Sequence, residues 1–135
     1  MAHGRDSLTT TLRTMPVFAD LTEEELDDVA RSVRVRDVKA GKTLIKQRQW
    51  GHELLLVLDG EVEIRRDGAV VATQGAGSVV GEVAVLTDAR RNASVVTRTP
   101  ASIGAIEYTQ LHALIDTIPV LADHLGHLVR DRRPE

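Results

Sequence analysis

The residues best suited to chemistry lie in one stretch, Gly81-Glu82-Val83-Ala84-Val85-Leu86-Thr87-Asp88-Ala89-Arg90-Arg91-Asn92-Ala93-Ser94-Val95. It reads as a short helix between two strands. The opening glycine leaves the first backbone N–H groups of that helix able to lie open. Open N–H groups at a helix start attract an anion, and the helix dipole adds to the attraction. An arginine fork can grip the same anion with charge-assisted hydrogen bonds, and Arg91 follows nine residues after Glu82. The carboxylate of Glu82 can only accept, so it suits a sugar hydroxyl rather than a phosphate. One segment therefore offers an anion cradle and a ribose acceptor. The competing reading, a plain strand–turn–strand with a surface arginine pair, would serve for Gly-Glu alone. It does not account for the spaced Arg91-Asn92-Ala93-Ser94-Val95.

Other motifs carry less. Gly41-Lys42-Thr43 looks like the end of a phosphate loop, but position 36 is Arg36 where that loop needs glycine, and Lys42 leads into a strand. Gly75, Gly77 and Gly81 have the wrong spacing for a dinucleotide fingerprint, and no long helix follows; they are expected to supply turns. His124 and His127 are three apart on a helix, but no third metal ligand accompanies them, which favours surface histidines. The run Glu23-Glu24-Glu25 reads as a solvated first helical turn rather than a cation site. Ser94 has no histidine base at a recognisable spacing. No catalytic constellation emerges, and the expectation is a protein that is not an enzyme, with no metal and no cofactor.

With 135 residues the chain can form one domain with a real core, expected over residues 1–135 with a tail at 1–7. Hydrophobic content of 42% and charged content of 27% fit a globular protein. No apolar run approaches the roughly 20 residues that span a bilayer, and Met1 opens no signal peptide. The chain has no cysteine, which excludes disulfides, thiolate catalysis and zinc–cysteine sites and fits a cytoplasmic setting. A net charge of −3 speaks against nucleic-acid binding. Aromatic residues are only 2% (Phe18, Trp50 and Tyr108), so a bound base would meet mostly aliphatic groups.

The elements that must position the segment follow from periodicity. Leu8, Leu12 and Met15 share one side of a short N-terminal helix over Leu8 to Thr14. Thr22 and Glu25 form a capping box, Leu21 and Leu26 occupy the positions of a hydrophobic staple, and Leu26, Val29, Ala30 and Val33 give the buried stripe. From Val35 the period becomes two. Strands are expected over Arg34–Val38, Thr43–Lys46, Glu53–Leu58, Glu61–Arg66, Ala69–Thr73, Ala93–Arg98 and Ser102–Glu107. Asp59-Gly60 and Asp67-Gly68 mark turns, the second a hairpin. Helical period returns at Thr109–Asp116 with Leu111, Leu114 and Ile115. Pro119 then opens a helix running to about Arg132, with Leu121, Leu125, Leu128 and Val129 on its apolar side.

The pattern Gly81-Glu82-Val83-Ala84-Val85-Leu86, then Arg91-Asn92-Ala93-Ser94-Val95, resembles the phosphate-binding cassette of cyclic-nucleotide-binding domains, without an insertion. The likeness runs over roughly residues 12 to 133, and Gly60, Gly77 and the cassette are its most specific points. It implies an α+β fold: an eight-stranded antiparallel, jelly-roll-like β-roll with flanking N- and C-terminal helices, the cassette lying between the sixth and seventh strands. It also implies the function of binding a cyclic nucleotide, cAMP before cGMP, and turning occupancy into movement of the C-terminal helices, with an effector or a second copy as the further partner. Gly81, Glu82, Val83, Ala84, Arg91, Asn92 and Ala93 would surround the ligand: Glu82 on the ribose 2′-OH, Arg91 on the phosphate. Arg132, about thirteen residues after Pro119, would stack on the base, as in some bacterial members. The chain departs from the family at Gln47-Arg48-Gln49 (often Gly-Asp), Val79-Val80 (often aromatic), Arg90 (often proline) and Asn92 (usually Ser, Thr or Ala). Two alternatives come with the fold: an interaction or dimerisation module with an empty pocket, and the sensor half of a transcription regulator.

Overall fold

The computed structural model describes residues 5–50, 52–81 and 93–132, with the side chains of residues 5, 6, 131 and 132 excepted. Helix α1 (Arg5–Arg13) begins three residues before the predicted Leu8, and Leu8, Leu12 and Met15 are buried as the spacing requires. A 3-10 turn (Pro16–Phe18) leads to α2 (Glu23–Ser32). The capping box at its start is complete: the Glu25 N–H donates to Thr22 Oγ1 at 3.1 Å, and the Thr22 N–H donates to Glu25 Oε1 at 2.9 Å. Of the acidic first turn, Glu23 pairs with Arg13 of α1 at 2.6 Å, an exposed contact of small energetic worth.

Eight strands follow: β1 (Arg34–Val38), β2 (Thr43–Ile45), β3 (Glu53–Asp59), β4 (Val62–Arg66), β5 (Ala69–Gln74), β6 (Val79–Val80), β7 (Ser94–Thr97) and β8 (Ala101–Glu107). They form two antiparallel four-stranded sheets, ordered β1-β8-β3-β6 and β2-β7-β4-β5. Two helices close the chain, α3 (Tyr108–Thr117) and α4 (Pro119–Arg132). This is the expected β-roll with flanking helices.

Strand β6 is the one element without a counterpart among the predicted strands. Its two residues are too few for a period to register, and only pairing with Leu55 and Leu56 of β3 makes them a strand. The turns behave as their residues dictate. Arg66 pairs with Ala69 across Asp67 (φ 53°) and Gly68 (φ 85°), so both central residues take the left-handed conformation of a tight hairpin. Gly60 (φ 89°) is required for space as well, since a Cβ there would stand 2.5 Å from the Pro100 carbonyl oxygen.

Strand β3 decides where the core sits. Leu54, Leu56 and Leu58 face the helices, packing with Leu12, Met15, Phe18, Leu26, Leu111, Ile118, Leu121 and Leu125. Leu55 and Val57 face the other way, into the space between the sheets, with Ile45, Val62, Val80, Val95, Ile103 and Ala105. The continuous apolar run Leu54-Leu55-Leu56-Val57-Leu58 therefore belongs to a strand covered on both faces.

Candidate functional site

The chemistry-bearing segment connects strands that belong to different sheets. It leaves β6, in the first sheet, through Gly81 (φ 85°) and returns as β7, in the second. Glu82, Val83, Ala84, Arg91 and Asn92, and the short helix expected among them, lie outside the described residues. Both ends of the segment are described. Val79 and Val80 are buried before it, and Ala93 and Val95 after it. The chain is thus fixed on either side by β pairing and apolar burial, to β3 at one end and to β2 and β4 at the other.

A polar clasp reinforces the exit. The Gln47 N–H donates to Ser94 Oγ at 2.9 Å, tying the β2–β3 loop to the first residue of β7. The Gln47 side chain in turn bonds Asp67 twice, Nε2 donating to Oδ1 at 3.1 Å and Oε1 accepting from the Asp67 N–H at 2.9 Å. Arg48 adds an ion pair to Asp67 at 2.9 Å. Loop, hairpin and cassette exit are therefore one connected unit. Beneath them the space between the sheets is aliphatic, lined by Ile45, Leu55, Val80 and Val95, with Leu44 and Ile64 packed against it.

The family model for the cyclic nucleotide-binding domain matches residues 35–118. The chain belongs to the cyclic nucleotide-binding domain family. It is 33% identical over 116 residues to a cAMP-dependent protein kinase regulatory subunit of Yarrowia lipolytica, covering 84% of this chain and 30% of that protein. It is 29% identical over 87 residues to a cGMP-dependent protein kinase of Caenorhabditis elegans, covering 64% of this chain and 11% of that one. Among solved structures it is similar to the catabolite activator protein of Thermus thermophilus, with a TM-score of 0.79, 30% identity, and coverage of 87% of this chain and 57% of that one. The chain spans less than a third of the length of these two kinase relatives.

Arg48 adopts φ 75°, a left-handed conformation that glycine takes more readily than arginine. Its guanidinium pairs with Asp67, and Gln47 bonds Asp67 beside it. Sequence reasoning missed this unit, because Gln47, Asp67 and Ser94 are far apart in the chain and none belongs to a motif. Arg132 lies at the end of α4, its side chain outside the described residues. His124 corrects one expectation. It is not a surface histidine: its side chain is 22% exposed and bonded at both ring nitrogens to the N-terminal segment. Among the described residues, no helix is long and apolar enough to cross a membrane, and no group of three or more His, Cys, Asp or Glu is placed to hold a metal ion.

Proposed function

We propose that this chain is a regulatory domain that binds cAMP and passes occupancy to its C-terminal helices, as a binding module rather than a catalyst. The observation that carries the reading is the unbroken cassette pattern from Gly81 to Val95, whose described ends belong to strands of the two different sheets. Gly81 opens the anion cradle, Arg91 grips the phosphate, and Glu82 accepts from the ribose 2′-OH. Val83, Ala84 and Ala93 supply apolar contact, and Asn92 stands where a hydroxyl residue would favour guanine. Kinase relatives carry both cAMP and cGMP in their names, so base selectivity rests on these residues. Arg132 at the end of α4 stacks on the base, and an effector or a second copy reads the movement through α3 and α4.

Calorimetric titration with cAMP, cGMP and 2′-deoxy-cAMP tests the reading. The expected order places cAMP first, and loss of the 2′-hydroxyl weakens binding. In Glu82→Gln the gap between cAMP and its 2′-deoxy form should shrink. Equal affinity of the unaltered protein for both would remove the ribose role of Glu82, and a preference for cGMP would reverse the assignment of Asn92. Absence of binding by any of the three would leave the fold as an interaction module.

A further inference from the structure

The chain has one phenylalanine, one tryptophan and one tyrosine, and they are put to unlike uses. Phe18 is buried in the core. Trp50 and Tyr108 are 54% and 39% exposed, and both line one surface pocket of about 770 Å³. That volume lies within the range of ligand sites, about 300–1,000 Å³. The sheet order brings its walls together. Strand β8 lies between β1 and β3, so Arg34, Glu107 and Glu53 meet at one end of the sheet. Tyr108 opens α3 at the same place, its N–H donating to the His52 carbonyl oxygen at 2.8 Å.

The charges on those walls do not balance. Glu53 and Glu107 stand directly opposite each other in the β3–β8 register. Like charges so placed destabilise a sheet. Arg34 offsets this in part. Its Nη2 lies 2.8 Å from Glu53 Oε2 but 3.8 Å from Glu107 Oε1, too long for a hydrogen bond. Glu107 is exposed and keeps acceptor capacity for a second donor. The lining thus sets two carboxylates against one guanidinium. The faces of the two aromatic rings are negative as well, so rings and carboxylates select the same thing, an organic cation. An anion would meet Glu53 and Glu107. Among the described residues no group of three or more His, Cys, Asp or Glu is placed to hold a metal ion. Between the organic cations, a guanidinium is flat enough to lie on a ring while its fork reaches a carboxylate, which an ammonium cannot do.

We propose that this pocket docks an arginine side chain from a basic segment of a partner protein, its guanidinium against the Trp50 and Tyr108 rings and its fork on Glu107. Arg34 is the resident competitor, since its own guanidinium draws on the same carboxylates. The occupant is a peptide segment rather than free arginine, because the free amino acid would bring a third carboxylate to the two already there. The proposal does not depend on the cyclic-nucleotide reading.

Trp50 is the only tryptophan of the chain, so its emission reports on the pocket directly. Titrating the full chain with the acetylated, amidated peptide Gly-Arg-Gly should change that emission, and calorimetry should give the same affinity. The capped peptide Gly-Lys-Gly and free arginine should bind more weakly, and capped Gly-Gln-Gly should not bind. Glu107→Gln and, by calorimetry, Trp50→Ala should each weaken Gly-Arg-Gly roughly two- to fivefold, the scale of one exposed ion pair or cation–π contact. Arg34→Gln should tighten it by a similar factor, because the competing cation is gone; an ion pair with a structural role alone would not give that sign. Arg34, Trp50 and Glu107 are all exposed, so the variants should keep the fold. Equal binding of Gly-Arg-Gly and Gly-Gln-Gly would overturn the proposal. So would unchanged affinity in Glu107→Gln, weaker binding in Arg34→Gln, or free arginine binding more tightly than the capped peptide.

Discussion

On its helical side the molecule buries large groups not branched at Cβ, among them Phe18, Met15, Leu12, Leu26, Leu56 and Leu111. Between the sheets it buries smaller and β-branched ones: Val57, Val62, Val80, Val95, Ile103 and Ala105. Strands β3 and β8 supply both, residue by alternate residue. Gly104 shows how close the helical side comes, since a Cβ there would stand 2.7 Å from Val33 Cγ1. The first region is closed by contacts among four helices, a turn and a sheet. At the second, Ser94 at the start of β7 is tied to Gln47, and Gln47 to Asp67. The difference teaches that the same strands serve two cores of different shape, and that the proposed binding segment adjoins only the second. Substitutions should separate them.

Leu56→Ala should have the largest effect. It opens a cavity among the helices and should cost about 2–5 kcal/mol of unfolding free energy by chemical denaturation, with Val57→Ala on the opposite face costing less because fewer carbon atoms are removed. A larger loss at Val57 would invert the comparison. Arg91→Ala comes next. It should weaken cAMP binding ten- to a hundredfold or more, the scale of about 1.5–3 kcal/mol for a hydrogen bond to a charged group, and leave ligand-free stability unchanged. Arg90→Ala, off the cassette spacing, should change affinity little; calorimetry giving the reverse order would reassign the phosphate ligand.

Thr22→Ala removes the capping bond to the Glu25 N–H and should lower stability by roughly 1 kcal/mol, read from the denaturation midpoint, with affinity untouched. A parallel loss of affinity would show that the two faces are coupled through α2. The smallest effect is expected from ending the chain after Val129. The buried positions Leu121 and Leu125 are kept and Arg132 is lost, so the fold should persist while cAMP affinity falls several-fold. Full affinity together with unaltered hydrogen exchange in α4 on adding cAMP would remove the helix from the binding event.

Much of this architecture was legible without coordinates, for a local reason. The capping box at Thr22, the Asp67-Gly68 hairpin, the start of α4 at Pro119 and the alternation in β4 each rest on residues a few positions apart. Their physics is complete within one turn or one strand. The cassette pattern is likewise one of types at fixed spacing, and its residues from Glu82 to Asn92 lie outside the described residues. Strand β3 was harder: the apolar run predicted a strand, but only the helices on one side and the second sheet on the other explain why every position is apolar.

By itself the sequence determined the cap of α2 at Thr22, the opening of α4 at Pro119, the turns and seven of the strands. Those depend on backbone sterics and on nearest neighbours along the chain. Tertiary structure alone decided that Val79-Val80 is a strand, because two residues acquire that identity only from a partner. It also decided that Arg48 takes a left-handed conformation, because Asp67, nineteen positions away, holds it there. And it decided that His124 faces Val17 and Asp20 rather than solvent, because no pattern along a chain reveals what folds back from more than a hundred residues away.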